Sequence, residues 1–367
     1  SRQGEGQNKD AVTSRLYMRP IGRLGPSTPV PQPATFMVAG RKDLVFAAAE
    51  LIVRGGATTD RRVVAANALP GGDTEQATQL LHRLQGARPD IAGLALDRPR
   101  IMGVVNVTPD SFSDGGCYLG ADAAIAHGLR LEAEGADILD IGGESTRPGA
   151  EPIGIEDECR RVLPVIEGLA KQVRVPLSID TRNAEVMRRA AQSGARIIND
   201  VSALAHDPQS LEVAAATGLA VVLMHAQGDP RNMQRNPAYD DVALDVYDAL
   251  EARVAACEQA GIPRERLVVD PGIGFGKTLA HNLALLGALS MFHGLGCAVL
   301  LGASRKSFIG KLTGAEADDR LPGSLAAALL GVAQGVQILR VHDVAATRQA
   351  VAVWEGACGG GPRESIA

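Results

Sequence analysis

The sequence predicts an α/β protein: a parallel (β/α)8 TIM barrel preceded by an N-terminal extension. Three observations carry this. From Arg100 onward, eight short runs rich in Val, Ile and Leu alternate with longer amphipathic segments. The runs are almost continuously apolar, as strands buried on both faces are, whereas half-exposed antiparallel strands alternate. Eight such units fill about 250 residues, the usual size of that barrel. A doubly wound open sheet needs about six strands and opens with a glycine-rich turn, where this chain has Asn106-Val-Thr-Pro-Asp110.

Residues 1–34 are rich in Gly, Pro, Gln and Ser, show no apolar period, and read as a disordered arm. Residues 35–98 read as a small appendage. Within it Asp73 and Gln76 form a variant capping box ahead of the stripe Ala77, Leu80, Leu81 and Leu84, and Leu44–Val53 reads as a second helix. Residues 1–98 hold 13 Lys/Arg against 9 Asp/Glu, but the positives are dispersed, which favours a packed appendage over a nucleic-acid arm.

The barrel is placed at 99–357 and a flexible tail at 358–367. Its strands are expected at Arg100–Val105, Ala136–Ile141, Val175–Ile179, Arg196–Ile198, Ala220–Met224, Arg266–Val269, Cys297–Leu301 and Gly335–Leu339. Thr181 reads as the cap of a helix carrying Ala184, Met187, Ala190 and Ala191. Another helix begins at Glu156, with Val162, Val165, Ile166 and Leu169 on one face and acidic residues in its first turn, where the dipole favours them. Pro164 is expected to kink it.

The 46% hydrophobic content of the 367 residues supports a large core and excludes a disordered or fibrous chain. A net charge of −5 argues against a general nucleic-acid or anionic-membrane binder, and 3% aromatics against a base-stacking surface. The five cysteines are scattered singly, with no Cys-x-x-Cys pair, which fits reduced thiols in a cytoplasmic protein rather than a zinc ribbon or a disulfide framework. No basic-then-apolar leader and no spanning apolar run is visible.

Barrel chemistry sits at the carboxyl ends of the strands. The runs end in Asn106, Asp140 with Glu144, Asp180, Asn199 with Asp200, His225, Asp270, Ser304 to Lys306, and Arg340 with His342. Each alone reads as a helix cap or a solvated loop residue; together on one rim they read as a site. Asp270-Pro-Gly-Ile-Gly-Phe-Gly-Lys-Thr278 resembles a phosphate loop, but Pro271 stands where that loop needs a glycine N–H. The turn-rich loops Thr108 to Gly116 and Gly142 to Gly149 look like lids. Arg340 and His342, two apart, face one side of their strand and, with Lys306, point to a phosphate or diphosphate. Asp180, Asn199 and Asp270 suit a planar heterocycle with several N–H groups and a carbonyl.

Seven stretches make the chain resemble bacterial dihydropteroate synthase, the pterin-binding barrel family. They are Ile101-Met-Gly-Val-Val-Asn-Val-Thr-Pro-Asp-Ser-Phe-Ser-Asp-Gly-Gly116, Asp140-Ile-Gly-Gly-Glu-Ser-Thr-Arg-Pro-Gly149, Ile197-Ile-Asn-Asp200, Leu223-Met-His225, Asp270-Pro-Gly-Ile-Gly-Phe-Gly-Lys277, Gly302-Ala-Ser-Arg-Lys-Ser307 and Arg340-Val-His-Asp343. The resemblance implies condensation of 7,8-dihydropterin-6-ylmethyl diphosphate with 4-aminobenzoate to 7,8-dihydropteroate and diphosphate, in folate biosynthesis, with Mg²⁺ as cofactor. It also implies a homodimer packed through barrel helices and a sulfonamide target.

Carried over by position, Asp180, Asn199, Asp270 and Lys306 hydrogen-bond the pterin, with Met224, Phe275 and Gly302 lining its pocket. Asn106, Thr146, Arg340 and His342 hold the diphosphate, Asn106 beside the Mg²⁺. Ser111, Phe112, Thr146, Arg147 and Pro148 belong to the loops that close over aminobenzoate, with Ser304, Arg305 and Lys306 at the edge. Asp180, Lys306 and Arg340 are the catalytic candidates. Two rivals are a methyltetrahydrofolate-dependent pterin-binding methyltransferase and a catalytically silent pterin-binding homologue. Arg340, His342 and Arg147 speak against the first, and the intact loop residues against the second. Two departures from the family stand out: the 98-residue leader, and a segment Gly116 to Asp122 that is slightly short and lacks a polar residue after Gly115-Gly116.

Overall fold

The computed structural model describes residues 14–24, 35–56, 58–69, 74–107, 117–144, 153–228, 233 and 236–358. The first element among the described residues is a strand, within the stretch expected as a disordered arm. β1 (Arg15–Leu24), β2 (Phe36–Val38), β3 (Arg41–Gly55) and β4 (Thr58–Ala65) form an antiparallel sheet, followed by α1 (Glu75–Gln85). The long β3 is central: β1 pairs along one edge, with Tyr17 opposite Ile52, while β2 and β4 share the other.

Leu44–Val53, expected as a helix, thus lies inside β3. Its alanines tolerate either state, and helix propensity is a weak prior that hydrogen-bonded neighbours on both edges override. Arg15–Leu24 likewise lies within the stretch whose composition reads as disordered. The cap of α1 is Thr74, whose Oγ1 accepts from the Ala77 N–H at 3.1 Å; Asp73, the expected cap, lies outside the described residues.

The barrel follows: β5 (Arg100–Asn106), α2 (Cys117–Ala133), β6 (Ile138–Gly142), α3 (Ile155–Ala170), β7 (Leu177–Asp180), α4 (Ala184–Ser193), β8 (Ile197–Asp200), α5 (Ser210–Thr217), β9 (Ala220–Met224), α6 (Val242–Gln259), β10 (Leu267–Asp270), α7 (Leu279–Gly287), β11 (Ala298–Leu301), α8 (Ser307–Thr313), α9 (Leu321–Ala333), β12 (Ile338–Val341) and α10 (Val344–Ala357). All eight barrel strands overlap the expected runs. They pair in parallel in chain order, and β12 returns to β5, with Ile338 opposite Arg100, to close the barrel.

α3 runs from Ile155 to Ala170 with Pro164 inside it, at the cost of the one N–H that proline cannot donate. One local expectation fails. Thr181 does not cap α4: its Oγ1 accepts from the Asn183 N–H at 3.2 Å, and the Ala184 N–H donates instead to Asp207 Oδ2 at 3.0 Å.

Strand alternation sorts the core into two layers. Met102, Ile138, Ile197, Val222, Val268, Leu300 and Ile338 form one cluster inside the barrel, whose floor is closed by Ile91 and Leu96. The odd partners, among them Ile101, Val105, Leu139, Ile141, Val221 and Leu339, pack outward against the helices. Among the described residues no helix is long and apolar enough to cross a membrane.

The N-terminal sheet docks on the outer wall, over α6, the 3-10 segment Leu289–Leu295 and α10. Tyr17 is buried edge-on to Tyr247, with ring centroids 5.4 Å apart, and donates to both Asp248 carboxylate oxygens at 2.9 Å. Ser290 donates to the Pro20 carbonyl, and the Arg23 guanidinium lies 4.2 Å from the Trp354 ring. Arginines at 15, 54, 61 and 83 meet Asp241, Asp245, Asp248 and Glu251, an acidic stripe along α6. Partly exposed pairs contribute about 0–1 kcal/mol each, whereas burying one large side chain contributes about 1.5–3 kcal/mol. The apolar contacts therefore hold the sheet, and the ion pairs fix where it sits.

Deleting residues 1–86 uncovers Tyr247, Phe292 and Leu295 and is expected to lower the melting temperature by about 5 °C or more, with increased light scattering. An unchanged melting curve would show that the sheet adds nothing to the barrel's stability.

Candidate active site

The inward rows of the barrel change character one step above the apolar layer. Met102 is followed two residues later by Val104 and then Asn106, Ile138 by Asp140, Ser178 by Asp180, Ile197 by Asn199, Val222 by Met224, Val268 by Asp270, Leu300 by Gly302 and Ile338 by Arg340. The period of two thus delivers polar groups from successive strands to one level at the barrel mouth.

Arg340 is the junction. Its Nε donates to Asp140 Oδ2 and its Nη2 to Asp180 Oδ2, both at 2.7 Å. Asn199 Nδ2 donates to the same Asp140 oxygen at 3.0 Å. Asp140 is fully buried, and its Oδ1 has no hydrogen-bond partner among the described residues.

Across the mouth, Asp270 Oδ1 accepts from the Gly272 N–H at 2.8 Å. Gly302 stands between the two groups: a Cβ placed there would lie 3.7 Å from Asp270 Oδ2, 3.8 Å from Lys306 Nζ and 3.9 Å from Arg340 Cβ. The missing side chain leaves flat room between an acceptor and two cations. Lys306 donates to the Ile273 carbonyl, and its ammonium sits 4.5 Å from the Phe275 ring centroid, a favourable cation–π placement. Met224 is buried at the end of β9.

Burial raises the Asp180 carboxyl to about 7, with Arg340 opposing the rise and Asp140 adding to it. Asp270 is raised by burial and eased back by Lys306. Burial lowers the Lys306 ammonium to about 8 despite Asp270. Arg340 is held above its ordinary value because Asp140 and Asp180 outweigh the cost of its own burial. Three buried carboxylates share two cations in a site that favours a ligand with N–H donors for the acids and an oxygen for the lysine.

Ser304 Oγ lies 3.1 Å from His342 Nδ1 and accepts from the His342 N–H at 3.2 Å. His342, Asn106 and Arg305 line an adjoining cavity of about 640 Å³ that runs out between α2 and α10 past His127 and Arg130. Arg305 has a left-handed backbone, with φ at 56°, and turns its guanidinium to Asp343, its Nε donating at 2.9 Å. Ser111, Phe112, Thr146, Arg147 and Pro148 lie outside the described residues.

Not every polar strand end joins the site. Asp200 turns away to accept from the Ser202 and Leu204 N–H groups, and Glu144 forms a two-point ion pair with Arg182. His225, one residue past Met224, faces Lys277 instead. Two buried residues carry no ligand role in the sequence reading: Asp140, which it places on the rim, and Lys277. Asp140 shares the inward parity of Asp180 and Asn199. Lys277 follows the glycine-rich loop and has no strand parity to mark it.

Comparison with known proteins agrees with this geometry. The sequence profile described as "Pterin binding enzyme" matches residues 102–342. Dihydropteroate synthase of Escherichia coli strain K12 is 49% identical over 262 residues, covering 71% of this chain and 93% of that protein. The Xanthomonas albilineans dihydropteroate synthase structure with 4-aminobenzoic acid superposes with a TM-score of 0.70 at 53% identity, covering 74% of this chain and 98% of that one. The same enzyme in complex with 7,8-dihydropteroate gives 0.67 at 50% identity, covering 74% and 99%. The N-terminal sheet lies outside the matched residues 102–342. With a mouth of buried acids and cations set on a closed parallel barrel, the chain belongs to the pterin-binding enzymes and, within them, to the dihydropteroate synthases.

Proposed function

We propose that this mouth condenses 7,8-dihydropterin-6-ylmethyl diphosphate with 4-aminobenzoate, giving 7,8-dihydropteroate and diphosphate, as in folate biosynthesis. The observation that carries the assignment of roles is the shared level of Asp180, Asn199, Asp270, Lys306 and Arg340 around the flat space over Gly302. Asp270 and Asp180 accept from ring N–H groups, the Asn199 amide and the Lys306 ammonium meet ring acceptors, and Phe275 and Met224 wall the faces. The five N–H groups of the Arg340 guanidinium let it hold the Asp140–Asp180 pair and a diphosphate oxygen together. Asn106 and His342 flank it from the adjoining cavity. Ser111, Phe112, Thr146, Arg147 and Pro148, outside the described residues, complete the aminobenzoate side in this reading, with Ser304 and Arg305 at its edge.

The chemistry follows from charge. The C–O bond to diphosphate breaks with its electron pair leaving on oxygen, while positive charge develops on the pterin methylene. The carboxylate of Asp180 stabilises that charge, and Arg340 and His342 stabilise the departing anion. The neutral aminobenzoate nitrogen then forms the new C–N bond and releases its proton to solvent. No strong base is needed.

Among the described residues no group of three or more His, Cys, Asp and Glu stands together to cage a metal. The donor present is the amide oxygen of Asn106, which suits Mg²⁺ held mainly by substrate phosphates and water. Bound there, Mg²⁺ would supply charge neutralisation to the leaving diphosphate. A homodimer through α7, α8 and α9 is part of the proposal, supported by the exposed Leu283, Leu312 and Leu330 on those helices. A cytoplasmic setting is supported by the four described cysteines, all free thiols.

The test is incubation of the full chain with the pterin diphosphate and Mg²⁺: diphosphate release is expected to depend on aminobenzoate, and release indifferent to the amine would overturn the condensation. Asp180→Asn, isosteric and still beside Arg340, is expected to lower kcat about a hundredfold with little change in melting temperature; near-normal turnover would remove its charge-stabilising role. Gly302→Ala meets only ordinary contacts in the empty mouth, so it should fold normally yet raise the pterin KM about tenfold, read by steady-state kinetics. An unchanged KM would move the ring away from Gly302.

A further inference from the structure

The loop 271–278 between β10 and α7 is held by side chains from several directions. Lys306 donates to its Ile273 carbonyl and Tyr239 to its Gly276 carbonyl, the latter at 2.8 Å. Asn282 accepts from the Gly274 N–H at 2.6 Å and donates to the Thr278 carbonyl at 2.8 Å. Beneath these lies Lys277, 2% exposed. Its ammonium donates to His225 Nδ1 at 3.0 Å, to the His225 carbonyl at 3.2 Å and to the Phe275 carbonyl at 2.9 Å. All three acceptors are uncharged once His225 carries its proton on Nε2.

Resting on the pterin assignment above, we propose that Lys277 is a positioning residue for pterin recognition. It ties the end of β9 to the loop after β10, so that Met224 and Phe275, carried by those two segments, keep the spacing a flat ring requires.

Three features support this. The two segments are pressed together: a Cβ on Gly272, whose φ is +70°, would fall 1.9 Å from the His225 carbonyl oxygen, and one on Gly276 2.4 Å from that of Gln227. A contact that close needs a fixed tie rather than packing alone. The Lys306 stem lies along the same loop, with its Cδ 3.1 Å from a Cβ built on Gly274. Holding the Phe275 backbone therefore also holds the ring over which the Lys306 ammonium sits. Finally, a lysine is a costly choice here, since burial brings its ammonium down to about 7, with Asp270 supporting it and Lys306 opposing it. Burial, with Lys277 adding to it, keeps His225 neutral, at about 3, which preserves the acceptor that the ammonium needs. Plain space-filling would be served better by methionine.

The experiment compares the full-length chain with Lys277→Met and Lys277→Arg, measuring steady-state kinetics and the binding of 6-hydroxymethylpterin, a ring without diphosphate. For Lys277→Met the pterin KM and the Kd of the free ring are expected to rise together at least tenfold, with kcat and the aminobenzoate KM within about threefold of the parent. Lys277→Arg, which keeps a cationic donor, should recover most of the ring affinity. Binding of the ring by the unsubstituted chain reads the pterin assignment itself, so the two readings fail separately. Unchanged ring affinity in folded Lys277→Met, or an equal loss for both substrates, would overturn the positioning role. Should Lys277→Met fail to fold, Lys277→Gln, which removes the cation, takes its place: unchanged ring affinity in that folded chain, or an equal loss for both substrates, would overturn the role equally.

Discussion

One guanidinium divided between a buried and a largely buried carboxylate organises the mouth of this barrel. Arg340 reaches from the last strand to Asp140 and Asp180 on the second and third, spanning the barrel at 2.7 Å on each side. Removing Arg340 would leave Asp140 and Asp180 side by side with no cation between them, so the three residues are interdependent. The same arrangement leaves the acids outnumbering the cations, an imbalance that under the proposed reaction favours a cationic methylene. Binding and chemistry thus draw on one electrostatic arrangement.

Much of this was legible in the sequence, and parity explains both what was found and what was missed. The eight barrel strands stood out because burial on both faces removes alternation from their patterns. The polar residue closing each run marked the rim, yet the end of a run is a cruder guide than its inward row. Asp200 and His225 terminate runs and do not face the ligand space, while Asp140, with the right parity, carries half of the Arg340 bridge. Counting by two from Ile138, Ile197 and Val222 sorts them.

The N-terminal sheet was less legible for a different reason. Ala47, Ala48 and Ala49 at the middle of β3 carry little preference, and the strand is set by partners up to forty residues away in sequence. β1 contains Pro20 and Gly22, which weaken any local strand signal. Its burial depends on Tyr247 and on the acidic stripe of α6, more than two hundred residues further on. No local window contains that information.

The stripe also links distant parts of the chain. Asp241 accepts from the Ala243 and Leu244 N–H groups at the start of α6 while Arg61 donates to it, and Asp245 accepts from the Asp240 and Asp241 N–H groups while bound to Arg54. Tyr239, the residue just before, holds the Gly276 carbonyl. The extension is therefore joined through two aspartates and one phenol to the loop 271–278 that carries Phe275. Heritable adjustment of how that loop is held is open to codons that lie outside the barrel altogether.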